Sequence, residues 1–158
     1  MKKYLSLVLL LVIGVVAGAA PAKARPEIMG ISLEMNRDNA QSRLKSIGTL
    51  QREDRKRQEV WVVNDSRISH LLVGYDAENR VRYVTAIART DGPRIRYQDV
   101  ADLRSAQRTV NQGNHKFSWK VPARRGHFAY LIIARGHDPQ YLDSYSVKKM
   151  DQDQEEID

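Results

Sequence analysis

Cysteine is absent from the 158 residues. No disulfide can brace the fold and no thiolate can serve as a metal ligand, so packing alone must hold the chain together. The same absence removes the acylated cysteine that a bacterial lipoprotein carries behind its signal, and no lipid anchor is expected. Catalytic constellations are equally scarce. His70, His115, His127 and His137 show no H-E-x-x-H spacing, and no metal site is expected. Gly136-His137-Asp138-Pro139 sets a histidine beside a carboxylate, as a general base requires. No serine in an elbow motif accompanies it, Ser144 and Ser146 read as strand residues, and the four-residue stretch reads as a turn. Neither a catalytic residue nor a cofactor is expected. A hydrolase would instead need a deep pocket holding a histidine, a carboxylate and a nucleophile within hydrogen-bond reach.

What is present begins with an export signal. Lys2 and Lys3 precede an apolar run from Leu5 to Val16, and Ala22-Lys23-Ala24 fits a small-x-small cleavage site. The run is short for a membrane span, which needs roughly 20 residues. Residues 1–24 are therefore expected to be a signal peptide, with an uncleaved anchor as the alternative. The mature chain would be periplasmic or secreted, possible also as a peripheral protein of the outer membrane. Residues 25–150 would form one exported domain, burying about two-thirds of its unfolded surface. Residues 151–158, DQDQEEID, form an acidic tail expected to be disordered.

The net charge of +7 is unevenly spread. Five of the 19 acids lie in the tail, so the body from 25 to 150 is the basic part. A basic body attracts anionic partners at long range. In an exported protein these are lipid head groups, lipopolysaccharide, glycan or an acidic protein, and nucleic acid is not expected. Arg80, Arg82, Arg94, Arg96, Arg124 and Arg125 are the candidate binding residues. For them to form a site they must converge on one face. The bland reading is that scattered arginines serve solubility.

The clearest pattern is residues 58–89, three apolar runs broken by two polar turns. Glu59 to Val63 is apolar on both faces, as in a central strand. His70 to Tyr75 and Val81 to Arg89 follow, separated by Asn64-Asp65-Ser66 and Asp76-Ala77-Glu78-Asn79. Gly74 reads as a bulge or a close-packing point. Ahead of the strands, Asn36 to Ile47 predicts a helix. Asn36 is a good N-cap, Asp38 suits the first turn, and Ala40, Leu44 and Ile47 share one face. Gly48 is placed to end it in the left-handed conformation. Thr49 to Arg57 reads as a charged connector or the edge of a strand.

The plan then repeats. Gln98 to Val110 predicts a second helix, followed by strands at Lys116 to Val121, Phe128 to Arg135 and Tyr141 to Lys148. Trp61 with Trp119, Leu72 with Leu131 and Tyr83 with Tyr145 keep an offset of about 60 residues, which suggests a tandem repeat. Trp61, Trp119 and the tyrosines read as core at this spacing rather than as a carbohydrate platform. The fold class expected is α+β, with two helix-plus-three-stranded antiparallel units, 35–89 and 97–149, in one compact domain.

Met35-Asn36-Arg37-Asp38 opening a helix, Leu44 and Ile47-Gly48 closing it, a tryptophan-bearing strand and the Asp-Ala-Glu-Asn hairpin together resemble the SmpA/OmlA-like fold. That group includes the small lipoprotein of the outer-membrane β-barrel assembly machinery. The tandem form looks like the β-lactamase inhibitor protein family. The resemblance covers roughly Ile31 to Arg89. It implies a non-enzymatic envelope module that binds another envelope protein, as an adaptor or an inhibitor. The alternative is a binder of anionic envelope components.

Overall fold

The computed structural model describes residues 26–54, 57–124 and 128–150. The expected signal, the acidic tail, Arg125 and His127 lie outside the described residues. Two short strands come first, β1 (Glu27–Ile28) and β2 (Ile31–Ser32), then the helix α1 (Arg37–Ile47). Asn36 caps α1 as its side chain accepts from the Asn39 amide at 2.8 Å. Four strands follow: β3 (Gly48–Asp54), β4 (Gln58–Val63), β5 (Ile68–Tyr75) and β6 (Val81–Ala88). A connection with two single 3-10 turns, Tyr97–Asp99 and Leu103–Ser105, leads to β7 (Gln107–Asn111), β8 (Asn114–Val121), β9 (Tyr130–Gly136) and β10 (Ser144–Lys149).

The two sets of four strands are antiparallel meanders that meet through their last members. β10 pairs with β6, and the result is one eight-stranded sheet in the order β3-β4-β5-β6-β10-β9-β8-β7. This corrects the expected fold class. Among the described residues the chain is mostly β with one α-helix, not two helix-plus-three-stranded units. Each meander has four strands because β3 and β7 are both edge strands. The stretch expected as a second helix holds only the two 3-10 turns and then enters β7. Local capping competes with helix there: the Asp99 carboxylate accepts from the Arg96 amide at 3.0 Å and Asp102 from the Arg104 amide at 3.0 Å. Beyond them Gln112 and Gly113 take φ of 48° and 78°, the signature of a two-residue hairpin turn that commits 107–111 to pairing. Gly48 also departs from expectation. Its φ of −171° is extended, and it starts β3 directly after donating to the Leu44 carbonyl.

Alternation sorts the strand residues onto two faces. Trp61, Leu71, Ala86 and Phe117 lie on one face with Val73, Val84, Val147, Ile132 and Trp119 in the neighbouring row. All of these belong to the hydrophobic core. Over the first meander the face is covered by Ala40 and Leu44 of α1 and by Ile28, Ile31 and Leu33. Over the second it is covered by Ile95, Tyr97, Ala101 and Leu142. Tyr97 packs its ring 4.4 Å from that of Phe117. The small Ala86 and Val84 admit this close cover.

The other face carries Val62, His70 and Ile87 in one row and Val60, Leu72, Thr85, Ser146, Ile133 and Ser118 in the next. None of these belongs to the core cluster. Gly74 lies here, opposite Tyr83. A Cβ on Gly74 would fall 2.1 Å from the Tyr83 ring, which crosses over the glycine so that its hydroxyl reaches the Gln58 side chain. The register also shifts between Gly74 and Tyr75.

Candidate functional site

The densest polar arrangement surrounds Glu59, which begins the apolar run of β4 and is completely buried. Its Oε1 accepts from Arg37 Nε at 3.0 Å, Arg37 Nη2 at 2.7 Å and Gln41 Nε2 at 2.6 Å. Its Oε2 accepts from Trp61 Nε1 and from the Tyr75 hydroxyl, each at 3.0 Å. Arg37 also reaches Glu53 of β3 at 2.6 Å and sets its guanidinium over the Tyr75 ring, 5.0 Å from the centroid. Burial alone would raise the Glu59 carboxyl, but the donors outweigh it and hold the group below its ordinary value. Burial, reinforced by the Glu59 charge, pushes the Tyr75 phenol up.

Both carboxylate oxygens are thus occupied, and the group stays ionised. A general acid needs the opposite, a proton held near neutral pH and an oxygen turned toward a substrate. The geometry suits a clasp that ties α1 to β3, β4 and β5. Sequence reasoning missed it. The available signals were an acid at the head of EVWVV and a cation, Arg37, in the first turn of a helix, where the dipole disfavours positive charge.

The described histidines are dispersed. His70 Nδ1 lies 3.0 Å from Ser69 Oγ and His115 Nδ1 lies 3.2 Å from Arg108 Nη2. His137 is exposed and pairs with Asp143 at 2.6 Å rather than with its chain neighbour Asp138. Asp138 instead closes its own turn, accepting from the Gln140 and Tyr141 amides, and pairs with Arg94 at 3.1 Å. These contacts hold its carboxyl below the usual range. No group of three or more potential metal ligands occurs among the described residues.

The candidate arginines divide between the two ends of the sheet. Arg80 precedes β6 and faces Glu34 at 3.7 Å, Arg82 is the second residue of that strand, just ahead of the Tyr83–Lys148 pair with β10, and Arg124 follows β8 at the same end. Arg94 and Arg96 lie at the opposite end, where both guanidinium groups approach the Tyr141 ring, at 4.3 and 5.9 Å. The structure brings Arg94 and Arg96 together and separates them from Arg80, Arg82 and Arg124.

What the fold does bring together is the uncovered sheet face. Val62 is 39 % exposed, and Leu72, Ile87, Leu131 and Ile133 are half-buried outside the core. Thr85 and Ser146 bridge the seam between the two meanders with a 2.8 Å hydroxyl contact. An open depression also lies between α1 and the edge strand β3, lined by Gln41, Lys45, Gly48, Thr49, Leu50 and Trp61. Among the described residues no helix is long and apolar enough to cross a membrane. Comparison with protein-family models, curated proteins and solved structures gives no match.

Proposed function

We propose that this protein is an exported, non-enzymatic binding module of the cell envelope, and that it engages another envelope protein through the uncovered face of its sheet. The observation that carries this reading is the set of apolar side chains on that face, Val62, Leu72, Ile87, Leu131 and Ile133, which no described element covers. Val62, Leu72 and Ile87 lie on one side of the Thr85–Ser146 seam and Leu131 and Ile133 on the other, and apolar patches rimmed by polar groups are characteristic of interaction sites. Export rests on the N-terminal signal pattern, and the adaptor or inhibitor role on the resemblance to SmpA/OmlA-like modules. The Glu59 cluster supports the absence of catalysis in a positive way, because its hydrogen-bonding capacity is consumed in holding the helix.

A binder of anionic lipid or glycan built on the six arginines would need them on one surface, whereas five of them are divided between two ends. The test is affinity capture from envelope extract with the parent chain and with Leu72→Asp. The reading predicts a stoichiometric protein retained by the parent and lost by the variant, with the thermal midpoint nearly unchanged. The same proteins captured by both chains, or lipid or glycan alone, would overturn it.

A further inference from the structure

The uncovered face is not uniform, and its two halves differ in charge. Over β4, β5 and β6 it combines Val60, Val62, Leu72 and Ile87 with the uncharged polar side chains of Gln58, Tyr83 and Thr85 and with His70. Over β8, β9 and β10 it carries Lys116, Arg135, Lys120 and Lys148 around Leu131 and Ile133. Lys116 and Arg135 are cross-strand partners, directly opposite one another. Lys148, Leu131 and Lys120 form one row across the three strands. With strands about 4.8 Å apart and residues about 3.3 Å apart along them, the four cations fall within a patch roughly 10 Å by 13 Å.

No acid lies on this face of β8, β9 or β10. The acid on the face is Asp54, on the far edge strand, where it pairs with Arg52 at 3.4 Å. The side chains of Lys116, Arg135 and Lys148 form no ion pair among the described residues. Like charges directly opposite one another oppose sheet formation. The Lys116–Arg135 pair therefore works against the fold, and folding gives no reason for its presence.

Resting on the binding-module reading, we infer that the β8–β10 half of the uncovered face is a docking surface for an acidic protein partner, whose carboxylates meet Lys116, Arg135 and Lys148 while apolar side chains seat on Leu131 and Ile133. Charge complementarity selects the partner and speeds its encounter, and the apolar residues supply burial. The surface differs from Arg80, Arg82, Arg94, Arg96 and Arg124, which lie towards the sheet ends.

The test uses the full chain and a fluorescent peptide of alternating Glu and Leu, with a Gln-Leu peptide as the neutral control. The acidic peptide is expected to bind, to weaken as salt rises, and to lose about tenfold or more in affinity with Arg135→Glu. That variant also replaces a like-charge pair by an opposite-charge pair, so its thermal midpoint should hold or rise. Weaker binding in a more stable protein is an outcome that a purely structural role would not produce. Unchanged affinity in Arg135→Glu, or equal binding of the neutral peptide, would overturn the inference. So would binding of phosphatidylglycerol vesicles without the peptide, which would assign the surface to lipid head groups. A chain ending at Met150 that binds about tenfold more tightly than the full chain would overturn it too, by making the tail Asp151–Asp158 the occupant. If envelope capture is lost in Leu72→Asp but untouched in Arg135→Glu, the binding face stands and only the charge argument fails.

Discussion

The two meanders close the same sheet by different means. Each sets a buried tryptophan on its second strand, and each indole N–H must find an acceptor. Trp61 donates to the Glu59 carboxylate, which is itself locked to α1. Trp119 donates to the backbone carbonyl of Asp102 at 2.7 Å, in the irregular connection that replaces a helix. The first half is held by an ionic clasp under a regular element. The second is held by aromatic packing of Tyr97, Phe117 and Trp119 under a looped cover. A sheet face needs only apolar cover and satisfied donors, and an eleven-residue helix and a pair of 3-10 turns both supply them.

The largest effect should come from breaking the clasp. Glu59→Ala leaves Arg37 without its buried partner and Trp61 and Tyr75 without an acceptor, and should cost about 3–5 kcal/mol in denaturant unfolding. A loss below about 1 kcal/mol would erase the distinction between the halves. The pH dependence follows from the same group. Its folded value lies below the ordinary 4.5, so its contribution is complete above that value and is lost as pH falls through the folded value. Acid unfolding of the parent should therefore be steeper below pH 4.5 than that of Glu59→Gln.

The paired variants Trp61→Phe and Trp119→Phe sharpen the comparison. The first removes a hydrogen bond to a charged group, costing roughly 1.5–3 kcal/mol, and the second a neutral one, costing about 1 kcal/mol. Equal losses by chemical denaturation would contradict the assignment of the two acceptors. Gly113→Ala should be among the mildest, roughly 1 kcal/mol, because it strains one exposed hairpin turn at φ 78° and meets no neighbouring atom. It should leave the first meander's amide exchange unchanged.

How much of this was legible in the sequence follows from where each signal resides. The helix at 37–47 was readable because its cap and its one apolar face are local. The central strands were readable because burial writes alternation or continuous apolar runs into them. The edge strands β3, GTLQRED, and β7, QRTVN, are exposed along almost their whole length and carry no such pattern. β3 thus reads mainly as a connector, and the sequence of β7 merges into the helix expected over 98–110. The β6–β10 pairing that makes one sheet joins residues such as Thr85 and Ser146, 61 positions apart, and no local pattern encodes it. Nor could the candidate arginines be placed, since a charge at a strand terminus says nothing about which end of the sheet that terminus reaches. Lys116, Arg135 and Lys148 became a candidate surface only once cross-strand register put them on one face.

The central claim is that one face of the sheet is committed to the fold and the other to a partner. Site-specific photo-crosslinking in living cells tests it most directly, with a photoreactive residue replacing Ile133 on the uncovered face or Ser42 on the exposed side of α1. The account predicts a discrete protein adduct from position 133 and none from position 42. An adduct from position 42 with none from position 133 would contradict it.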